Sequence, residues 1–247
     1  MDTQTTYSMT LSSKRIVLLG GTSGIGFATA EMAARAGAAI VVASSRRESV
    51  DRAVSRLPEG AEGYVLDLSN EEQVQAFFDR IGAFDHLVFT AGEILHLEEL
   101  STISVVQARR FLDLRFWGAF MAAKYGSKHI RAGGSIVLSS GSAGQRPHKG
   151  WTVAASICGA AEALTRALAI ELAPIRVNAV CPGVVRTELW RNMSEEDQEA
   201  MYQGIGQTLL VGRVGEVYDL AQAYLYLMCE GYSTGQVLVV DGGTALV

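Results

Sequence analysis

The chain has no run of lysine or arginine, and its formal charge is −5. That balance argues against a nucleic-acid partner or an anionic membrane surface. No apolar stretch read from the sequence approaches the roughly 20 residues that cross a bilayer. The opening Met1 to Ser13 lacks both a basic start and an apolar middle, so it is read as a loose tail and not as a secretory signal. Only three cysteines occur, Cys158, Cys181 and Cys229, far apart and without a Cys-x-x-Cys pair. An odd, scattered set fits reduced thiols in a cytoplasmic protein better than a disulfide frame. His86, His96, His129 and His148 show no paired ligand spacing, so no metal site is expected.

What the chain does have is apolar bulk. With 247 residues, 49% of them hydrophobic, it can build a substantial core and offset its ordering entropy, which excludes disorder. Short apolar runs fall at 16–19, 40–43, 64–66, 86–89, 135–138, 176–180 and 236–240, with helical stretches between them. Runs without polar alternation mean strands buried on both faces. Strands alternating with helices predict an α/β architecture, a doubly wound parallel sheet of about seven strands with helices on both faces. No linker or repeat divides 14–247, which is read as a single domain.

The segment Leu19-Gly20-Gly21-Thr22-Ser23-Gly24-Ile25-Gly26 stands where the first run ends and a helix over 24–35 begins. Gly20 permits the sharp turn, Gly24 lets backbone approach a pyrophosphate, and Gly26 lets the helix pack on the sheet. Free N–H groups at the helix start then bind phosphate, aided by the dipole. The strand–turn–helix context raises the motif above an ordinary glycine turn. Gly20, Thr22, Ser23, Gly24, Ile25 and Gly26 are therefore expected to hold a dinucleotide. After the second run, where NAD-binding folds place an acid, the chain reads Ser44-Ser45-Arg46-Arg47, with no carboxylate before Glu48. Hydroxyls beside a guanidinium suit a ribose 2′-phosphate, so NADP(H) is expected over NAD(H). The alternative is that Arg46 and Arg47 only open a solvated helix.

Further elements repeat a known order. Asp67-Leu68, Thr90-Ala91-Gly92, Arg176-Val177-Asn178-Ala179-Val180-Cys181-Pro182-Gly183 with Thr187, Gly212-Arg213 and Asp241-Gly242-Gly243 follow the glycine segment. From about Lys14 to the C-terminus the sequence thus resembles the short-chain dehydrogenase/reductase family. The resemblance implies a Rossmann-type fold and hydride exchange with a nicotinamide. It implies adenine contacts from Asp67 and Leu68, and further cofactor contacts from Ala91, Gly92, Pro182, Gly183 and Thr187. It also implies a homotetramer or homodimer built on two long helices and the C-terminal segment. One of these is expected over 105–130.

The family's catalytic residues do not carry over. Its Tyr-x-x-x-Lys places both side chains on one helix face, where Lys lowers the phenol pKa for proton exchange with substrate oxygen. Register set from Glu162-Ala163-Leu164-Thr165-Arg166 puts Ala154 at the Tyr position and Cys158 at the Lys position. The family's Ser falls on Gly141 and its helix Asn on Arg115. No tyrosine lies between Tyr125 and Tyr202, so a one-residue slip restores nothing.

Replacements must come from nearby. Arg115, projecting from a largely apolar stripe, requires an anionic partner, either structural or a ligand, and can stabilise a developing oxyanion. Ser140 and Ser142 flank the vacant Ser position and can hold a substrate carbonyl. His148 is a candidate general acid, weighed against a solvated loop histidine. Glu93, Trp151 and Trp190 are candidate pocket residues, and His96 is near enough to note. Cys158 reads as a small buried filler before a reactive thiol. Residues 187–212, with Trp190, Met193, Met201 and Tyr202 as apolar anchors, are expected to form a substrate lid. A small-molecule substrate of carbonyl/alcohol type follows, with a dinucleotide-binding subunit without turnover as the rival.

Overall fold

The computed structural model describes residues 10–92 and 97–247, so Glu93 and His96 lie outside the described residues. Seven strands, β1 (Arg15–Leu19), β2 (Ala39–Ser44), β3 (Glu62–Val65), β4 (Phe84–Phe89), β5 (Ile130–Ser139), β6 (Arg176–Pro182) and β7 (Val237–Val240), form one sheet. Every neighbouring pair is parallel, in the order β3-β2-β1-β4-β5-β6-β7. The order reverses between β1 and β4, and in such sheets that crevice at the strands' carboxyl ends takes the ligand.

Side-chain alternation along each strand feeds two cores. Val17, Leu87, Ile136 and Val177 pack with Phe78, Ala122 and Leu168 from α3 (Glu71–Ile81), α5 (Gly118–Gly126) and α6 (Thr152–Glu171). Ile16, Leu18, Val88 and Val137 pack instead with Phe27 from α1 (Gly24–Arg35) and Leu220 and Tyr224 from α8 (Val217–Cys229). Both faces of the central strands β1, β4 and β6 are dry, so these read as nearly unbroken apolar runs.

Three expectations need correction. The tail does not extend to Ser13: Leu11 is buried and its N–H donates to Ala36 O at 3.0 Å, which ties the chain to the end of α1. The expected helix over 105–130 is interrupted. α4 (Val105–Leu112) passes into a π-helical turn, Asp113–Trp117, before α5, and Gly118 N–H reaches back five residues to Asp113 O. The third concerns α6, which by length and composition alone is apolar enough to cross a bilayer, although the sequence reading found no such stretch. Ile157, Ala161, Thr165 and Leu168 turn one face of it to the sheet.

Between β2 and β3 lies α2 (Arg47–Arg56), and α7 (Glu195–Thr208) follows β6. Ser194 caps α7, accepting Asp197 N–H at 3.1 Å, with Glu195, Glu196 and Asp197 in the first turn where the dipole favours acids.

Candidate active site

A cavity of about 730 Å³ opens at the carboxyl ends of the strands. Every residue expected to hold the dinucleotide lines it, from Gly20 through Ser44, Ser45 and Arg46, Asp67 and Leu68, Ala91 and Gly92, to Pro182, Gly183 and Thr187. Backbone packing dictates the glycines. Gly20 sits at φ +88°, and a Cβ there would stand 2.5 Å from Ala91 N; at Gly26 it would collide with Thr90 Oγ1 and Gly20 O. Thr90, where the family has Asn, donates its N–H to Leu19 O at 2.9 Å and so pins β4 to the loop.

The start of α1 fits a pyrophosphate. Ser23 takes the N-cap position in extended geometry with no side-chain capping bond, and the first turn carries no acid. Its amides therefore face the cavity uncancelled, as anion binding requires. At the other end of the cleft, Arg46 and Arg47 separate in role. Arg47 lies 3.7 Å from Asp51 on the outer face of α2, whereas Arg46 and the two preceding serines line the cavity. Asp67 accepts both the N–H and the hydroxyl of Ser69, at 2.9 and 2.7 Å, which fixes its carboxylate at the rim.

The four positions that carry the family's catalytic residues converge. Arg115, Gly141, Ala154 and Cys158 all line the inner end of the cavity. The π turn delivers Arg115, whose guanidinium rests against the Gly92 backbone. Cys158 fits under the loop after β5: a Cβ on Gly141 would stand 3.1 Å from its Sγ. Burial pushes this thiol up, while Arg115 and a hydrogen bond from Gly144 N–H oppose the shift. A tyrosine does reach the floor, though not from α6. Tyr224 of α8 is fully buried, and its hydroxyl pairs with Ser139 Oγ at 2.6 Å. Ser139 in turn donates to Phe89 O at 2.6 Å. The phenol comes through the sheet from the side opposite α6, and burial raises its pKa, so it braces β4 against β5.

Of the other candidates, Ser140, Ser142, Trp151 and Trp190 line the cavity. Ser142 is buried in a 3₁₀ turn, Ser142–Gly144. His148 does not join them: it is exposed and packs edge-on against Trp151, ring centroids 4.7 Å apart. The helical loop before α6 points it outward. Trp190 donates Nε1–H to Val185 O at 3.2 Å and packs with Met201, Tyr202 and Leu209. Arg186 clamps α7, binding Glu199 through two nitrogens at 2.5 and 3.1 Å and standing 4.4 Å over the Tyr202 ring. Sequence reasoning did not single out Arg110, Asp113 and Leu114 on the cavity wall, whereas Leu189 and Arg191 fall within the segment expected to cover the substrate.

The family model described as Enoyl-(Acyl carrier protein) reductase matches residues 20–245. The chain belongs to the short-chain dehydrogenase/reductase family. It is 36% identical to the short-chain dehydrogenase/reductase ucsE of an Acremonium species, across 96% of this chain and 97% of that protein. A solved small-chain dehydrogenase in complex with NADPH is 41% identical over 95% of this chain and 99% of its own, with a TM-score of 0.85. The MalC reductase/Diels-Alderase from Malbranchea aurantiaca is 29% identical over 98% and 99%, with a TM-score of 0.90. The protein is accordingly an oxidoreductase of this family, with the Rossmann-type sheet its relatives share.

Proposed function

We propose that this short-chain dehydrogenase/reductase is NADP(H)-dependent and reduces a small carbonyl-type substrate, or oxidises the matching alcohol, without the family's tyrosine. The reading rests on a complete dinucleotide cradle opening directly onto Arg115, where the family's helix Asn would stand. NADPH, when bound, supplies the hydride. The chain's own task is to orient the carbonyl and to stabilise the oxygen as negative charge develops. Arg115 suits the second task, being permanently charged and placed on a packed helix turn. Ser140 and Ser142 hold the carbonyl oxygen, and Trp151 and Trp190 wall the substrate. Ser44, Ser45 and Arg46 select the 2′-phosphate; the small-chain dehydrogenase described with NADPH supports that preference.

The test pairs cofactor titration with turnover. NADPH should bind more tightly than NADH, and a panel of aldehydes and ketones should show NADPH consumption that Arg115→Ala sharply slows. Tight binding with no turnover across the panel would favour a dinucleotide-binding subunit instead. A second reading draws on the small side chains of Ala154, Cys158 and Gly141, which leave room and neither the family's tyrosine nor its lysine at the inner wall. A pericyclic step needs orientation and no proton donor, and MalC is described as both reductase and Diels-Alderase.

The protein is further proposed to be a homo-oligomer. Only 22% of the apolar window of α6 is buried, and Gly159, Ala163, Ala167 and Ile170 are exposed beside it. Trp117 and Phe120 of the neighbouring helix are exposed as well. Elution at monomer mass across micromolar concentrations would refute this.

A further inference from the structure

Ser140 opens the connection out of β5, lines the cavity beside Gly141 and Cys158, and donates its hydroxyl to Glu162 Oε1 at 3.1 Å. Its backbone is held by Ser140 N–H donating to Val180 O at 2.9 Å, so the hydroxyl starts from a fixed point. Glu162 lies one helical turn beyond Cys158 and two beyond Ala154, on the same side of α6. It is half-buried, and among the described residues Ser140 is its hydrogen-bond partner. Glu162 does not itself line the cavity; Ser140 connects it to the inner wall.

We propose that Glu162 is the proton reservoir of the cleft, exchanging protons with the substrate oxygen through the Ser140 hydroxyl. The proposal rests on the reductase reading above. During oxidation of the alcohol, its O–H bond breaks as the proton passes to Ser140 Oγ, and the Ser140 proton passes to Glu162 Oε1 along the hydrogen bond already made. The electron pair left on oxygen forms the C=O bond as hydride leaves the carbon for the nicotinamide, and Glu162 then gives its proton to water. Reduction runs the same transfers backwards, with water supplying the proton to Glu162. A hydroxyl bridging a carboxyl to a reacting oxygen needs no tyrosine and no lysine.

The other charged or titratable groups around Glu162 do not serve. Cys158 on α6 and Cys181 on β6 are both kept protonated by burial. Asp241, after β7, has its two oxygens engaged by Gly243 N–H and Ala245 N–H at 2.8 Å. Arg115 cannot release a proton at any working pH. Among the described residues, Glu162 is the carboxyl that the Ser140 hydroxyl joins to the inner wall.

Glu162→Gln retains an acceptor for Ser140 but holds no exchangeable acid. With NADPH and the aldehyde or diketone that the wild type turns over fastest, kcat should fall roughly 10²- to 10⁴-fold. KM and NADPH affinity should stay within about twofold, and one limb of the kcat/KM pH profile should vanish. Added formate should restore turnover to Glu162→Ala in a concentration-dependent way, which a structural role would not allow. Ser140→Ala should show the same loss and resist formate. A Glu162→Gln enzyme with the wild-type rate and profile overturns the relay and leaves the reductase reading standing. If Glu162→Gln fails to fold by circular dichroism, an unaltered pH profile in folded Ser140→Ala overturns it equally. A wild type that binds NADPH yet reduces nothing in the panel overturns the reductase reading and the relay together.

Discussion

The guanidinium of Arg115 occupies the space that a side chain at residue 92 would need. A Cβ built on Gly92 would stand 2.7 Å from Arg115 Cζ and 2.7 and 2.8 Å from its terminal nitrogens. The Thr-Ala-Gly segment that lines the cleft is thus also the rest against which the arginine is set.

Arg115→Ala should cost roughly 10²- to 10³-fold in kcat, the range for deleting one preorganised oxyanion donor, with little change in NADPH affinity. Arg115→Lys should recover little of it, since an ammonium lacks the rigid planar fork. Gly92→Ala should damage turnover by displacing the guanidinium, yet add little damage in an Arg115→Ala background. Steady-state kinetics of the four-enzyme cycle check this; strictly additive losses would break the link between the two residues.

Arg46→Ala should weaken NADPH by about 1.5 to 3 kcal/mol, the usual range for a hydrogen bond to a charged group, and leave NADH nearly unaffected. Calorimetric titration of both cofactors reads the difference. Equal weakening of the two would assign Arg46 to the surface with Arg47.

Protein stability should decline on mild acidification because of His86. Its ring is buried, Nδ1 lies 2.8 Å from Ser135 Oγ, and burial together with the Arg176 charge lowers its pKa to about 4. The folded state therefore resists a proton that the unfolded chain accepts near 6.5. Stability is full above pH 6.5 and falls as pH drops toward 4, by about 3 kcal/mol in total. Denaturant melts at pH 7 and pH 4.5 should show a smaller difference in His86→Gln than in the wild type.

Thiol chemistry offers a simple probe of the inner wall. Burial pushes Cys158 up and Cys181 up to about 11, so both should alkylate slowly at neutral pH. Raising the pH should speed modification of Cys158, which lines the cavity, and saturating NADPH should slow it. Mass spectrometry after iodoacetamide treatment distinguishes the sites. Rapid labelling of Cys158 at pH 7 would contradict its packing under Gly141.

Much of this was legible in the residues themselves. The seven apolar runs became the seven strands, and α1 spans Gly24–Arg35 as the glycine segment required, because dry strands and a phosphate-type turn leave local marks. Leu11 was missed because a single apolar residue among Thr and Ser has no period to betray its burial. The π turn was missed for a related reason: one surplus residue shifts a helical pattern without erasing it. His148 looked well placed along the chain, but its loop turns it to solvent. The Ser140–Glu162 hydrogen bond joins two elements 22 residues apart, and only the sheet brings them together.

The widened turn at Asp113–Trp117 has a consequence for how this cleft can change over time. Each residue of an α-helix advances the direction of its side chain by about 100°. Deleting one residue there would heal the spiral and leave α5 seated on its core, while swinging the segment that bears the cationic fork to a new bearing. The π turn and the arginine it carries therefore act as one unit, and loss of either empties the spot on the inner wall that Arg115 fills.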